Sequence, residues 1–348
     1  MENLIDITDD AMVNDTVPTN DSDKYQNKTS FDVKNYLDTK IPDGASEKTL
    51  RIRLLPFPET GSPFFHIHMH NIQVNKDVYK SGFKSYICLD KTEGFDKAPY
   101  GGKCPLCELN QKAYKAMLDA KDASEKEYNK RISLSFMPKP VVIMRCIERG
   151  KENEGVKFWK VNVRQDKGDA YNLIKTLYNN RKQEWLNEPE NKGKDPKESN
   201  ILSWREFGYD LLITFKSKEE VNQKTNKVEK RTSILVSDAR KPSALSDDME
   251  QIKKWIYDPK KWYEVFPPKH YDYLSLVAQG EVPFFDKNIN KWVTRTEHNQ
   301  EKENEIQEAE RRIQQAQNDI AAPTTANVPN ENDAPAGVFE DGGGDLPF

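Results

Sequence analysis

The chain has 348 residues, of which 36% are hydrophobic, 32% are charged and 10% are aromatic. The aromatic content is too high for a chain that is disordered throughout. The four cysteines are too few for a secreted disulfide scaffold of this length. No apolar run approaches the length of a membrane span. We therefore expect a cytoplasmic protein without a membrane partner.

Charge is distributed unevenly along the sequence. Residues 1–23 contain seven acidic and no basic side chains, and residues 313–348 contain six acidic and no basic side chains. These two segments hold 13 of the 57 acidic residues, so 44 acidic and all 53 basic residues belong to the middle. A basic body with acidic ends favours a polyanionic ligand. Acidic ends that only keep the chain soluble are an equally good interpretation of composition alone.

The predicted elements follow in chain order. Residues 1–28 lack periodicity and are predicted to form a disordered acidic arm. Helices are predicted at 108–126, 169–179 and 247–257, and charged loops at 188–200 and 216–230. Alternating apolar and polar residues predict strands at 49–56, 64–73, 84–89, 132–136, 140–146, 157–163, 209–216 and 231–236. This pattern favours a mainly β core at 29–300 with α additions, an OB-fold-like barrel.

The segment 101–107 reads GGKCPLC, in which two residues separate Cys104 from Cys107. Such a turn lets backbone amides point at thiolates, as in zinc knuckles. Upstream lie Cys88 and an alternating run that contains His66, His68 and His70. Positions 66, 68 and 70 share one face of a strand, so any of the three imidazoles is able to turn toward Cys88.

Three thiolates and one imidazole predict a closed tetrahedral site, which is typical of one structural Zn²⁺ ion rather than of catalytic zinc. A redox pair is the alternative for the CxxC, but no thioredoxin-like βαβ pattern accompanies it. Cys146 lies in the apolar run VVIMRCI and is predicted to be a buried core thiol. A fully ligated metal, and the lack of HExxH and P-loop motifs, predict that the protein is not an enzyme.

The region from Leu50 to Phe215 resembles the zinc-containing single-stranded-DNA-binding (helix-destabilising) protein of T-even phages. The resemblance rests on RIRLLP, on Pro63-Phe64 with a histidine seven residues after that proline, and on four further motifs. These are Tyr86-Ile87-Cys88, Cys104-Pro105-Leu106-Cys107, Lys126-Glu127-Tyr128 and Glu152-Asn153-Glu154-Gly155.

This resemblance implies a protein that binds and protects single-stranded DNA during replication, recombination and repair. The order of zinc ligands in the family falls on His70, Cys88, Cys104 and Cys107, in a zinc lobe at about 64–127. This order favours His70 over His66 and His68. The loops between these ligands are longer than in the family. An acidic arm also replaces the family's basic N-terminal arm, so cooperative filament formation is not implied.

Binding a single strand without sequence preference requires cations for phosphates and flat rings for bases. The sequence interleaves both types of side chain after residue 100, and the resemblance places Tyr100, Tyr128, Lys130, Arg131 and Phe136 at or near the family's DNA cleft. Core packing is the alternative for each ring, and at most one of Phe158 and Trp159 can face DNA if they lie on a strand. The predicted DNA-binding residues are Tyr100, Lys103, Tyr114, Tyr128, Lys130, Arg131, Phe136, Lys139 and Trp159.

The C-terminal part is predicted to be a polar helix at 301–320, followed by a flexible acidic tail at 321–348. The tail ends in Asp345, Leu346, Pro347 and Phe348. This tip resembles the tail tip of bacterial single-stranded-DNA-binding proteins, which implies recruitment of replication and recombination proteins. The alternative function is a zinc-ribbon transcription or recruitment factor that binds protein or duplex DNA, although a second CxxC and a basic recognition helix are missing.

Overall fold

The alternating segments form one large antiparallel sheet. In the computed structural model the described residues are 4–7, 12, 35–74, 82–163, 168–222, 227–287, 289–294, 304, 307, 308, 311 and 312. Among them the sheet contains seven strands: β1 (Glu47–Leu55), β2 (Phe64–Gln73), β3 (Phe83–Ile87), β4 (Lys139–Glu148), β5 (Lys157–Asn162), β6 (Leu211–Asn222) and β7 (Lys227–Asp238). The predicted mainly β architecture is confirmed.

The central strand β4 pairs along one edge with two strands in succession. Its first part pairs with β2, from Met69 opposite Lys139 to Phe64 opposite Met144, and its last residues pair with β1. Strand β5 pairs with the other edge of β4. The β2 branch continues to β3, and the β1 branch continues through β6 to β7. Within the described residues these branches do not join into a closed barrel, so the OB-fold-like barrel is not confirmed.

Both faces of the sheet are covered, which explains the continuous apolar run of β4. Val142, Met144 and Cys146 belong to one buried cluster, which includes Tyr171 and Ile174 of the helix Ala170–Asn187. The alternate residues Val141, Ile143 and Ile147 belong to a second cluster. Leu245, Trp255, Ile256, Trp262 and Phe266 of the C-terminal part of the core complete that second cluster.

Six helices have both ends among the described residues: α1 (Pro105–Asp119), α2 (Ala123–Phe136), α3 (Ala170–Asn187), α4 (Met249–Ile256), α5 (Trp262–Val265) and α6 (Tyr271–Ala278). A separate two-stranded hairpin consists of β8 (Pro283–Asp286) and β9 (Lys291–Thr294). The sequence predicted the regions of α1, α3 and α4, but it did not predict α5, α6 or this hairpin.

Two predicted segments differ from the structure. Residues 132–136 end helix α2 and do not form a strand. The alternation in ISLSF suggested a strand, but the side chain of Asp122 accepts a hydrogen bond from the Glu125 amide and caps a helix that continues through this segment. Residues 216–230 were predicted to be a loop, yet most of them extend β6 and β7 into a long ribbon.

A buried ion cluster joins β1 to the loop before β6. The carboxylate of Asp210 accepts hydrogen bonds from Arg53 Nε at 2.9 Å, from Arg51 Nε at 2.7 Å and from Arg149 Nε at 3.2 Å. Arg53 is fully buried and also donates to the carbonyl oxygens of Ser203 and Ser243. Gly208 leaves room for this arrangement, because a Cβ there would lie 1.8 Å from the Ser203 oxygen.

A second buried arginine holds the C-terminal layer against the sheet. Arg145 of β4 donates hydrogen bonds to the carbonyl oxygens of Trp255 and Ile256, at the end of α4, and to that of Pro56. A cation at the carboxyl end of a helix satisfies otherwise unpaired carbonyl groups and opposes the helix dipole favourably. Residues 245–266 are thus an integral layer of the core.

The predicted disordered arm differs from the structure where its residues are described. Leu4, Ile7 and Met12 are buried against the two core clusters, and Ser203 Oγ donates to the Asp6 carboxylate at 2.6 Å. Apart from residues 4–7 and 12, the segment 1–28 lies outside the described residues, as does the whole tail 321–348. Of the predicted helix 301–320, the five described positions are helical. No helix of the described part has the length and apolar character needed to cross a membrane.

Candidate metal centre and adjoining aromatic surface

Four buried side chains converge between the β2–β3 ribbon and the start of α1. His70 lies on β2, and Cys88 directly follows β3, where its amide donates to the His68 carbonyl oxygen at 2.8 Å. Cys104 is the N-cap residue of α1, and Cys107 lies in its first turn. Antiparallel pairing of β2 with β3 and the turn before α1 therefore bring together residues up to 37 positions apart in the chain.

The geometry of the cluster suits an ion with tetrahedral coordination. The four ligand atoms all lie within 4.8 Å of one another. Cys88 Sγ is 3.3 Å from Cys107 Sγ, and His70 Nε2 is 3.3 Å from Cys104 Sγ and 3.6 Å from Cys107 Sγ. Zinc–sulfur bonds of about 2.3 Å in a tetrahedron imply sulfur–sulfur separations of about 3.8 Å. The predicted set of His70, Cys88, Cys104 and Cys107 is confirmed as a possible site for a single metal ion.

Neighbouring backbone groups orient two of the ligands. His70 Nδ1 lies 2.7 Å from the carbonyl oxygen of Phe136, at the end of α2, and donates its proton there. This bond leaves Nε2 to face the thiols, which is the usual outer-shell arrangement of a metal-binding histidine. The amide of Lys91 donates to Cys88 Sγ at 3.4 Å. Sequence reasoning did not predict the role of the Phe136 carbonyl, because backbone partners leave no mark on residue type.

Hydrogen bonds within the cluster shift the pKa values of His70 and Cys104. Burial by itself lowers the pKa of His70, but hydrogen bonds with Cys104 and Cys88 raise it to about 10. Hydrogen bonds from Cys107 and Cys88 lower the pKa of Cys104. Metal ions bind the neutral imidazole and the thiolate, so binding here releases protons.

The alternative ligands lie elsewhere. His68 Nδ1 contacts the carbonyl oxygen of Lys91 at 3.1 Å, and the His66 ring packs edge-on against Tyr171 at 5.7 Å. Cys146 is fully buried in β4, where burial raises its pKa, as predicted for a core thiol. Leu274 and Val277 of α6 share the buried apolar cluster around Cys88, Cys104 and Cys107, a contribution that the sequence did not predict.

The predicted DNA-binding residues fall into three groups by exposure. Tyr114 on α1 and Tyr128 on α2 are 52% and 56% exposed, and Lys103, Lys130 and Arg131 are exposed as well. Tyr100, Phe136 and Lys139 are half-buried. Trp159 is buried and packs edge-on against Phe215 at 6.1 Å, so its ring is core, and the prediction that it binds DNA is wrong in this respect. Phe158, its neighbour, is also buried.

Most of the exposed candidates lie on two packed helices. Asn110 of α1 donates to the carbonyl oxygen of Ser133 of α2 at 2.7 Å, and the Arg131 guanidinium lies 5.9 Å from the Tyr128 ring centroid. Residues 103–139 contain eight basic and five acidic side chains. The apolar residues Leu118 and Leu134 are also exposed, by 61% and 46%. The pair of helices α1 and α2, here called the helical hairpin, thus presents rings and cations beside the metal centre.

Comparisons of the chain with known proteins found no similar protein. No protein-family model matches the chain, and neither a curated protein nor a solved structure matches it significantly. The candidate function therefore depends on the geometry of the chain itself and on the motifs that its sequence contains.

Proposed function

We propose that this protein binds single-stranded DNA without strong sequence preference and protects it during replication, recombination and repair. The observation that carries the proposal is the helical hairpin, where exposed tyrosines lie among cations and are braced by the buried His/Cys cluster. Each ring that stacks on a base contributes about 1–3 kcal/mol, and the cations contact phosphates. We assign no catalytic role, because a metal held by all four ligands has no open position for a substrate.

The metal in this proposal is one structural Zn²⁺ ion, held by His70, Cys88, Cys104 and Cys107. Cysteine-rich tetrahedral sites of this kind select zinc over harder cations. When bound, the ion would fix the start of α1 relative to β2 and β3. This would also fix the positions of Tyr100 and Lys103, which precede the start of α1, and of Tyr114, which lies farther along the helix.

An OB-like architecture of the core is part of the same proposal. One edge of β4 pairs first with β2 and then with β1. A sheet in which one strand pairs with two others in this way is able to bend toward a partly open barrel. The resemblance to the T-even phage family supports this assignment. The tail tip Asp345, Leu346, Pro347 and Phe348, outside the described residues, is proposed to recruit replication and recombination proteins in the cytoplasm.

A second candidate is a zinc-ribbon recruitment factor that binds protein or duplex DNA. Exposed Leu118 and Leu134 favour it, because apolar side chains at a surface are typical of protein docking. The tyrosines of the helical hairpin and the excess of basic over acidic side chains in residues 103–139 favour the first function, since base stacking requires rings and phosphate requires cations.

The test is to measure affinity for oligo(dT) and for a duplex of equal length over a range of salt concentrations. We expect the single strand to bind more tightly, with affinity that falls steeply as salt rises. Tyr128→Ala should weaken oligo(dT) binding about five- to a hundredfold, the loss expected for one stacked base. Tyr128→Phe keeps the ring and should bind like the unmodified protein.

Tyr257→Ala is the matched control, since it removes another exposed tyrosine, 46% exposed at the end of α4. It should leave the affinity unchanged. Equal affinity for single strand and duplex would favour the second candidate. Absence of oligo(dT) binding by the zinc-loaded protein at low salt would rule out the proposed function.

A further inference from the structure

A second aromatic surface lies outside the helical hairpin. In the hairpin of β8 and β9, here called the C-terminal hairpin, Phe284 pairs with Val293 and Phe285 pairs with Trp292. Phe284 and Phe285 remain 40% and 38% exposed, and Ile289, between the two strands in the sequence, is 46% exposed. Exposed apolar side chains of this size are typical of interaction sites.

The rings of the C-terminal hairpin are held in a fixed arrangement. Phe285 and Trp292 lie at 60° to each other with centroids 5.1 Å apart, and Trp292 meets Tyr273 of α6 edge-on at 4.9 Å. Adjacent residues of a strand face opposite sides, so Phe284 lies on the side away from Phe285. A base that stacks on such rings would find them already ordered, so binding costs less side-chain entropy.

Helix α6 connects the C-terminal hairpin to the metal centre. Its residues Leu274 and Val277 pack in the same cluster as the cysteines, and the Tyr271 hydroxyl donates to the Glu108 carboxylate of α1 at 3.1 Å. Gly101 packs so closely on α6 that a Cβ there would lie 2.6 Å from Tyr271 Cβ. The C-terminal hairpin therefore packs on a helix, α6, that also contacts α1 and the turn containing Tyr100 and Lys103.

The charges around these rings favour a nucleic acid. Lys287 and Lys291 are exposed on either side of the β8–β9 turn, and Lys269 Nζ lies 5.5 Å from the Tyr273 ring centroid. The acidic residues in this region are Asp286, which is buried, and the exposed Asp272 and Glu281. Lysines beside exposed rings match the phosphates and bases of an unpaired strand better than they match an apolar protein surface.

We propose that the C-terminal hairpin is a second binding surface for the same single strand, with Phe285 as the stacking ring and Lys287 and Lys291 as phosphate contacts. The inference rests on the proposed function, because it extends the bound strand from the helical hairpin across α6. It predicts that a short oligonucleotide occupies one surface, whereas a longer one engages both.

The experiment compares full-length, zinc-loaded protein with the variant Phe285→Ala in titrations with oligo(dT) of several lengths. We expect this variant to bind long oligo(dT) at least about fivefold more weakly. The shortest oligonucleotides should show a smaller loss. A second variant, Lys287→Gln/Lys291→Gln, leaves the rings in place. It should reduce the slope of log affinity against log salt concentration by the amount expected for the loss of about one to two phosphate contacts.

The matched control Val228→Ala/Leu235→Ala removes two other exposed apolar side chains, 64% and 54% exposed on β7, and should bind like the unmodified protein. If both hairpin variants bind every oligonucleotide normally while the unmodified protein binds tightly, the inference is wrong and the proposed function stands. If instead the variants lose self-association in sedimentation with unchanged DNA affinity, the surface belongs to a second copy of the chain. Failure of the unmodified protein to bind any oligonucleotide would refute both.

Discussion

Lys160 is a single residue whose charge opposes folding. It lies on β5 with its Nζ 6.0 Å from the Phe266 ring centroid, and burial lowers its pKa from 10.5 to about 8. Between pH 8 and 10.5 the unfolded chain binds more protons at this position than the folded chain does. Stability therefore rises with pH through that window, and the penalty is fully present below pH 8.

Lys160→Met should raise the free energy of unfolding at pH 7 by roughly 1–3 kcal/mol, because the apolar stem is kept and the charge of this half-buried group is removed. It should also abolish the part of the rise in stability between pH 8 and 10.5 that Lys160 contributes. Urea denaturation at pH 7, 9 and 10.5 measures both effects, with the exposed Lys192→Met as control. A loss of stability at pH 7 would mean that the ammonium group makes a net favourable interaction.

At the scale of elements, the cluster around Asp210 decides whether β1, β6 and the loop 203–210 stay together. Asp210→Asn would leave Arg53 charged, fully buried and without a carboxylate partner. We expect a loss of about 3–5 kcal/mol in the free energy of unfolding, as for other broken buried pairs. Glu152→Gln is the control, since Glu152 pairs with Arg149 of the same cluster at 3.5 Å but is 38% exposed, and it should cost under about 1 kcal/mol. Similar losses for both variants would contradict this ranking.

The cluster around Asp210 is a feature that the sequence did not predict. Strand β2 has the predicted limits, because ten alternating residues and a preceding proline define it locally. The CxxC and the run of histidines are short-range signals of a metal site, whereas the choice of His70 among the three histidines came from the resemblance to the phage family. Arg53 and Asp210 lie 157 positions apart, and nothing in either neighbourhood indicates the other. Helix α6 covers the metal centre from an equally distant part of the chain, so its role became visible only in the fold.

At the scale of the whole molecule, the metal centre is confined to one part of the core. Its four ligands connect β2, β3 and α1, while α2 and α6 pack around them. The central pairs of the sheet, β4 with β1 and β1 with β6, depend instead on the two large clusters and on Arg53 and Arg145. Loss of the metal should therefore loosen one region and leave the rest folded.

The measurement is amide hydrogen exchange before and after verified metal removal, together with metal analysis. One zinc ion per chain should be found, and its removal should increase exchange in β3, α1, α2 and α6 with little change in β1, β4 and β6. Cys107→Ala should reproduce this pattern, whereas Cys146→Ala, which removes a thiol from the core, should keep its zinc and lose stability uniformly. Unchanged exchange around the cysteines after metal removal would show that the ion does not hold this region. Collapse of β1 and β4 together with α1 would show that the region and the sheet fold as one cooperative unit.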